Sequence, residues 1–223
     1  MDKFIIERGE KSKEHRDQLI RDMIYVGCLP QFSDKNRREF VNVSISWSFS
    51  DRSKENINRS AKYRGCPYWS KNALYILDSK GKVDTGELRH EHIIPRKIFV
   101  DAVLSRFKRV RIKIENGKDI ETLLNEEFEY LKEKMSELLK GCVVTKTEAE
   151  ILDSDRNKSE MPEHAYAKNN KPQNDEDKFF EIKDPWARYR NKDKKFRIDV
   201  FELEWSFENS RWKENKNKRK KLD

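Results

Sequence analysis

The sequence predicts an α+β fold, and three observations lead to that prediction. Apolar residues recur every three or four positions over 120–138, as they do along one face of a helix. Short apolar runs such as Cys142-Val143-Val144 are typical of buried strands. Turn residues separate the apolar stretches, as at Asn116-Gly117. Only 35% of the residues are hydrophobic and 40% are charged, so we expect a small packed centre with long solvated helices and loops.

The first 80 residues are predicted to form helices and loops. Apolar residues have helical spacing within 12–26, and the hydroxyl of Ser33 is placed to cap a second helix. The polar stretch 50–68 is typical of a loop. Residues 69–77 are amphipathic and compatible with a short helix, which the turn residues after it would end.

The middle of the chain alternates between strand and helix patterns. Pro95 cannot donate to a sheet ladder and is expected to end the first strand. Gly141 is typical of the residue that follows a helix. The prediction is a strand, a helix, a candidate second strand and a long helix, over 88–94, 96–107, 108–114 and 120–138.

The last third contains a short helix, a polar region and a final structured segment. Thr145 is placed to cap a helix that ends at Leu152. Residues 153–180 are polar, and 168–178 have the composition of a mobile loop. The stretches 184–190 and 196–205 are predicted as a last structured segment containing a strand, and 211–223 as a disordered basic tail.

The charge balance favours a nucleic-acid partner. Lys and Arg outnumber Asp and Glu by 49 to 41, which gives a formal net charge of +8. A positive balance attracts phosphates without reading base sequence. Mild basicity is also common among soluble proteins, so charge alone does not decide between the two interpretations.

The cysteines and the apolar runs exclude several classes of protein. Cys28, Cys66 and Cys142 lie far apart without a C-x-x-C pair, so neither a zinc knuckle nor a disulfide framework is expected. No apolar run reaches the roughly 20 residues of a membrane span. The first residues lack the apolar core of a signal peptide. We therefore expect a cytoplasmic protein with reduced thiols and no membrane partner.

Two of the four histidines lie in one short run, His90-Glu91-His92-Ile93-Ile94-Pro95. On a regular strand His90 and His92 share one face and Glu91 takes the other, whereas a strand that bends at its end brings Glu91 and His92 to one site. A carboxylate is a hard oxygen ligand for a divalent ion, and a neutral imidazole accepts a proton from water near pH 7. Hydrolysis of a phosphodiester needs this combination, although a lone His-Glu-His is more often an ordinary strand.

The run from Glu91 to Pro95 resembles the first half of the His-Asn-His (HNH) nuclease motif, of the ββα-metal or His-Me finger fold. In that family an acidic or histidine ligand precedes the general-base histidine, and proline follows three residues after the base. The second half of the motif is a short strand ending in Val-Thr and a helix with the last metal-binding histidine four residues after the Thr. Residues 141–152, Gly-Cys-Val-Val-Thr-Lys-Thr-Glu-Ala-Glu-Ile-Leu, have this layout.

The resemblance implies a fold, a reaction and roles for individual residues. It implies a ββα-metal core with a helical insertion over 96–140 and a helical N-terminal decoration, so that 1–80 precede a nuclease domain over 81–210. Glu91 would bind the metal, Mg²⁺ or Mn²⁺, and His92 would activate water. The substrate would be nucleic acid, DNA more than RNA. A restriction or antiphage-defence nuclease is the setting that the family suggests, with a partner subunit as one source of recognition.

Ala149 occupies the position of the expected metal-ligand histidine, and Lys140 the place of the family's central asparagine. Three explanations of Ala149 remain open. The ligand was lost naturally, it was exchanged for alanine to give an inactive enzyme, or Glu148 acts as the ligand after a rotation of about 100° around the helix. The rival to the nuclease hypothesis is a non-catalytic nucleic-acid-binding or protein-interaction module with a degenerate HNH fold.

Several basic residues are candidates for binding nucleic acid. Cationic side chains near the motif are suited to hold phosphates, bidentately or as point charges, and solvated element ends are the alternative explanation. Trp186 and Tyr189, which flank one of these cations, either stack on a base or close a small core. The candidates are Arg89, Arg96, Lys97, Lys146 and Arg188.

Overall fold

The computed structural model describes residues 2–48, 63, 66–80, 86–154, 159–167, 171–190, 196–208 and 211–222. Its architecture is α+β, as predicted. The elements in chain order are α1 (Asp2–Cys28), α2 (Asp34–Ser48), β1 (Tyr68–Ser70), α3 (Lys71–Lys80), β2 (Leu88–His92), α4 (Arg96–Glu115), α5 (Ile120–Leu138), β3 (Gly141–Thr145), α6 (Lys146–Leu152), α7 (Asp177–Phe180), β4 (Val200–Glu202), β5 (Trp205–Glu208), β6 (Arg211–Glu214) and β7 (Lys220–Lys221).

The chain divides into two compact units, which we call the helical unit and the sheet unit. The helical unit consists of Met1–Ser50, Ile94–Lys140 and Ser159–Pro185. The sheet unit consists of Asp51–Ile93, Gly141–Lys158 and Trp186–Asp223. The predicted boundaries after residues 80 and 210 do not coincide with these units, because the strands of the main sheet come from separate parts of the sequence.

In the helical unit, α1 packs against α2, α4 and α5. The buried residues Ile20, Met23 and Ile24 form one face of α1, at the spacing that predicted this helix. A side chain at Gly27 would overlap the Phe107 ring, so glycine permits this close approach. The predicted cap of α2 is confirmed, since the Asn36 amide donates to Ser33 Oγ at 3.2 Å.

The helix α4 is longer than predicted, and the candidate strand over 108–114 is wrong. The helix continues to Glu115, because Val103, Phe107 and Val110 lie at helical spacing and are all buried. Packing of this face therefore overrides the strand preference of the β-branched residues. The predicted turn follows at Gly117, whose φ of +81° is a conformation that glycine adopts readily.

The end of the helical unit is more ordered than its polar composition predicts. Residues 168–170 of the predicted mobile loop lie outside the described part of the chain. The remainder of that stretch leads into α7, where Phe179 and Phe180 are buried. The Phe179 ring contacts the Phe99 ring edge to face, with centroids 4.9 Å apart.

The sheet unit is built on one mixed sheet with the strand order β2-β3-β1-β4-β7. Strand β1 runs parallel to β3, and the other neighbouring strands are antiparallel. The predicted amphipathic segment 69–77 is therefore part strand and part helix, since β1 leads directly into α3. The core of the sheet unit contains Tyr63, Trp69, Ala73, Leu74, Leu88, Val143 and Leu203.

The basic C-terminal segment is folded, contrary to the predicted disordered tail. Strand β6 pairs with β5, and β7 pairs with β4 at the edge of the main sheet. Arg219 forms a two-point hydrogen bond with Asp78 on α3, at 2.8 and 2.9 Å, and Lys216 reaches the same carboxylate at 2.7 Å. The basic composition of this segment predicted disorder. The prediction failed because Asp78, which neutralises two of its cations, lies far away in the sequence.

None of the described helices is both long enough and apolar enough to span a membrane. Cys28, Cys66 and Cys142 form no disulfide in the structure.

Replacing Asp78 by Asn should weaken the attachment of residues 211–222 to α3 and increase their local opening. Hydrogen bonds from Arg219, together with those from Lys216, lower the pKa of Asp78 to about 2. A carboxylate with a lowered pKa stabilises the fold above its unfolded pKa of roughly 4, and this contribution is lost as the pH falls towards 2. The side chain is about one-third exposed, so we expect less than about 1 kcal/mol. Hydrogen exchange should accelerate in 211–222 at pH 7, whereas Asp175→Asn, which removes an exposed ion pair with Lys178, should leave that segment unchanged.

Candidate functional site

The strands β2 and β3, which contain the two halves of the predicted motif, are antiparallel neighbours in the sheet. The register pairs Glu91 with Cys142 and His92 with Gly141, and it remains regular to the end of β2. Alternation along the strand therefore gives His90 and His92 one face of the sheet and Glu91 the other. His92 is the last residue of the strand, and its convergence with Glu91 on one pocket remains a prediction.

His90 and His92 form a ring pair on their shared face. Their ring centroids are 5.9 Å apart, and the rings are nearly perpendicular. The His90 ring lies against Gly141, where a Cβ atom would overlap it. Gly141 was predicted as the residue that ends α5, but α5 ends at Leu138 and Gly141 opens β3. Close approach to His90, and not helix capping, explains glycine at this position.

Glu91 lies on the opposite face from His90, where Cys142, its partner across the ladder, and Tyr189 are buried. Burial raises the pKa of the Cys142 thiol well above its usual range, and the charges of Glu148 and Glu91 add to this effect. Burial likewise raises the pKa of Tyr189, with the charge of Glu91 contributing. Both groups are therefore neutral at pH 7, and Glu91 is the acidic residue of β2 that lies within electrostatic reach of them.

Helix α6 follows β3 directly and lies beside β2. Thr145 caps it as predicted: the Glu148 amide donates to Thr145 Oγ1 at 3.2 Å, and the Thr145 amide donates to the Glu148 carboxylate at 2.8 Å. This is a capping box. The Lys146 amide donates to the carbonyl of Glu87, just before β2, at 2.8 Å. The start of α6 is thus fixed to the start of β2.

The Glu148 carboxylate is fully engaged in the scaffold. It accepts hydrogen bonds from Ser70 Oγ at 2.6 Å and Asn72 Nδ2 at 2.9 Å, besides those from Thr145. Glu148 is 6% exposed. These contacts join β1 and α3 to α6. Both oxygens of the carboxylate already accept hydrogen bonds. The structure therefore does not support Glu148 as the replacement metal ligand.

Ala149 is buried on the face of α6 that packs in the sheet unit, with 7% of its surface exposed. It lies midway along α6. The first residue of this helix, Lys146, donates its amide to the carbonyl of residue 87, and the carbonyl of its last residue shares the Arg188 guanidinium with the carbonyl of His92. Helix α6 therefore packs alongside β2, and residue 149 belongs to this helix. A methyl group offers no lone pair, and among the described residues no group of three or more His, Cys, Asp or Glu side chains is placed to hold one metal ion.

Arg188 is buried rather than available to a phosphate, which corrects its predicted role in binding nucleic acid. Only 2% of the residue is exposed. Its Nη1 donates to the carbonyl of His92 at 3.1 Å, and its Nη2 donates to the carbonyl of Leu152 at 2.9 Å. One guanidinium thus connects the end of β2 to the end of α6.

The aromatic residues around Arg188 close a small core. The Trp186 ring contacts the rings of Tyr68 and Tyr189, with centroids 5.1 and 5.4 Å apart. Tyr189 is 1% exposed. The core interpretation of Trp186 and Tyr189 is therefore the one that the structure supports.

The other basic candidates occupy different environments. Arg89 is half-buried, and its Nη1 donates to the carbonyl of Leu88 at 2.8 Å. Lys146 is exposed and lies 3.9 Å from the Glu150 carboxylate. Arg96 and Lys97 are exposed at the start of α4, in the helical unit, where Lys97 forms an ion pair with Asp101. Lys140, at the expected place of the asparagine, directly precedes β3.

Comparison with models of protein families, with curated proteins and with solved structures finds no match to the chain.

Replacing Glu148 by Ala should destabilise the sheet unit by about 3 kcal/mol, because buried donors on Ser70 and Thr145 lose their acceptor. Thermal denaturation should show a clear fall in the melting temperature. Glu150→Ala is the matched control, since Glu150 is on the same helix with 66% of its side chain exposed. Its effect should stay within about 0.5 kcal/mol. Equal losses in the two variants would show that the Glu148 contacts do not stabilise the fold.

Proposed function

We propose that this chain has the scaffold of a divalent-metal-dependent endonuclease of the HNH type, with a ββα-metal core formed by β2, β3 and α6. His92 is the general base, Glu91 is a metal ligand, and residue 149 is the position that completes the metal site. The substrate is nucleic acid, DNA before RNA, and restriction or antiphage defence is the biological role in keeping with such an enzyme.

One observation carries this proposal. The strand that ends in Glu91-His92 lies alongside the helix that contains residue 149, although α4 and α5 separate them in sequence. His92 and residue 149, which are predicted to serve one site, therefore both belong to the sheet unit. The direct passage from Thr145 into α6 also has the strand–helix order that the motif predicts.

The proposed chemistry assigns separate tasks to His92 and Glu91. The neutral imidazole of His92 accepts a proton from the attacking water, which a nucleophile needs near neutral pH. Glu91 contributes a hard oxygen ligand of the kind that Mg²⁺ or Mn²⁺ prefers. When bound, such an ion would stabilise negative charge on the phosphate and on the leaving oxygen.

The residues present do not complete this metal site. Ala149 supplies no donor, and Glu148 is committed to Ser70, Asn72 and Thr145. We therefore propose that the chain as written binds metal weakly and cleaves little. The same observation favours a second candidate function, a degenerate module that binds nucleic acid or a protein partner without cleaving.

Replacing Ala149 by His should create metal-dependent cleavage. The imidazole adds a second ligand beside the Glu91 carboxylate, and adding His92→Ala should then lower the rate by about 10²-fold or more through loss of the base. The measurements are Mn²⁺ binding by calorimetry and cleavage of plasmid and single-stranded substrates with several divalent metals. The chain as written should still bind nucleic acid, with an affinity that falls steeply with salt.

Ala149→Leu is the matched control, because it adds bulk at the same buried position without a lone pair. Ala149→Asp provides a smaller ligand in case histidine disturbs the packing around this residue, and circular dichroism reports on the fold of each variant. Folded His and Asp variants that bind no Mn²⁺ and cut neither DNA nor RNA would refute the nuclease proposal and leave the degenerate module.

A further inference from the structure

Arg188 has surroundings that a simple surface cation or packing residue would not have. It is almost completely buried, and its Nη1 and Nη2 atoms donate to main-chain carbonyls, those of His92 and Leu152 respectively. The Asp153 carboxylate is 3.8 Å from Nη2, the charge of Glu91 lies within electrostatic reach of the guanidinium, and Nε has no hydrogen-bond partner. Burying a charge with this limited compensation costs free energy that a neutral apolar residue would avoid.

The two carbonyls mark the ends of two elements. His92 is the last residue of β2, and Leu152 is the last residue of α6. Carbonyls in the last turn of a helix have no partner within that helix, so an arginine satisfies such a group and interacts favourably with the helix dipole. The planar guanidinium holds both acceptors in a fixed relation, which a flexible lysine cannot reproduce.

The turn that carries Arg188 is itself fixed in the sheet unit. Arg188 lies in the 3-10 helix Ala187–Arg190. The Ile198 amide donates to the carbonyl of Tyr189 at 2.8 Å, and the neighbouring Trp186 ring packs between two tyrosines. The main chain of Arg188 is therefore held in place as well as its guanidinium group.

We propose that Arg188 is a positioning residue for the reaction: by holding the His92 carbonyl against the end of α6, it sets where the His92 imidazole lies relative to residue 149. This inference rests on the proposed function. Arg188 itself touches neither the attacking water nor the phosphate. A displacement of about 1 Å in a reacting group lowers a rate by as much as 10²-fold, so an arginine that fixes the main chain of the base has a large effect on turnover.

The kinetic test uses Arg188→Lys and Arg188→Met in the Ala149→His background. Both should lower kcat by about 10-fold to 10²-fold at nearly unchanged KM, because positioning and not substrate binding is lost. The matched control is Arg37→Lys in the same background. Arg37 is also buried, at 6% exposure, and its Nη2 donates to the carbonyl of Leu29 at 2.8 Å, but it belongs to the helical unit.

A spectroscopic test reads the contact without turnover. With Ala149 unchanged the chain has four histidines, so labelling histidine carbonyl carbons with ¹³C gives four signals, and His92→Gln assigns the relevant one. For this test the Arg188 and Arg37 variants are made in the chain with Ala149. Losing the Arg188 hydrogen bond should move the His92 carbonyl signal in both Arg188 variants and leave it in place in Arg37→Lys. Melting temperatures of the three variants report their general loss of stability.

The outcomes separate the contact, the role and the proposed function. A His92 signal that is unmoved in folded Arg188→Lys and Arg188→Met overturns the contact. A moved signal with a loss of kcat no larger than that of Arg37→Lys overturns the positioning role. If the Ala149→His protein cleaves nothing, the proposed function and the catalytic role fail together, while the carbonyl signal still reports whether Arg188 holds the two elements.

Discussion

The antiparallel ladder between β2 and β3 is the constraint on which the candidate site depends. It brings together two stretches of chain that α4 and α5 separate, and its register sets which side chains share a face. The alternation of the strand gives His90 and His92 one face and Glu91 the other, so a site shared by Glu91 and His92 requires the chain to turn at the end of β2. Because the side-chain period of a strand is two, a shift of one residue would exchange these faces. Gly141 helps to hold the register, since only glycine accommodates the His90 ring at that position.

A second level of organisation is the attachment of α6 to that ladder. Its first turn is fixed by Thr145, Glu148 and the contact of Lys146 with residue 87, and its last residue by Arg188. A helix of seven residues is too short to be stable alone, so these attachments must supply its order. The position of residue 149 relative to β2 follows from both ends being held.

Local patterns predicted much of this arrangement. The strand before Pro95, the strand over 142–144 and the cap at Thr145 depend on neighbouring residues, and sequence reasoning finds such signals directly. The capping-box pattern Thr145-Lys146-Thr147-Glu148 also predicts that the Glu148 carboxylate binds the main chain of its own helix start, which competes with a role as metal ligand. The role of Arg188 could not be predicted in this way, because its partners are carbonyls that are distant in sequence. The ordered C-terminal segment was missed for the same reason, since Asp78 lies far from Arg219.

Paramagnetic broadening by Mn²⁺ tests most directly whether β2 and α6 form one metal site. In the Ala149→His protein, near-stoichiometric Mn²⁺ should broaden the imidazole proton signals of His92 and of the introduced histidine together. Adding Glu91→Gln should remove this effect, because one of the proposed ligands is lost. If the His92 signal broadens only in large excess of Mn²⁺, and equally with and without the Glu91 carboxylate, the central claim of a shared site would be contradicted.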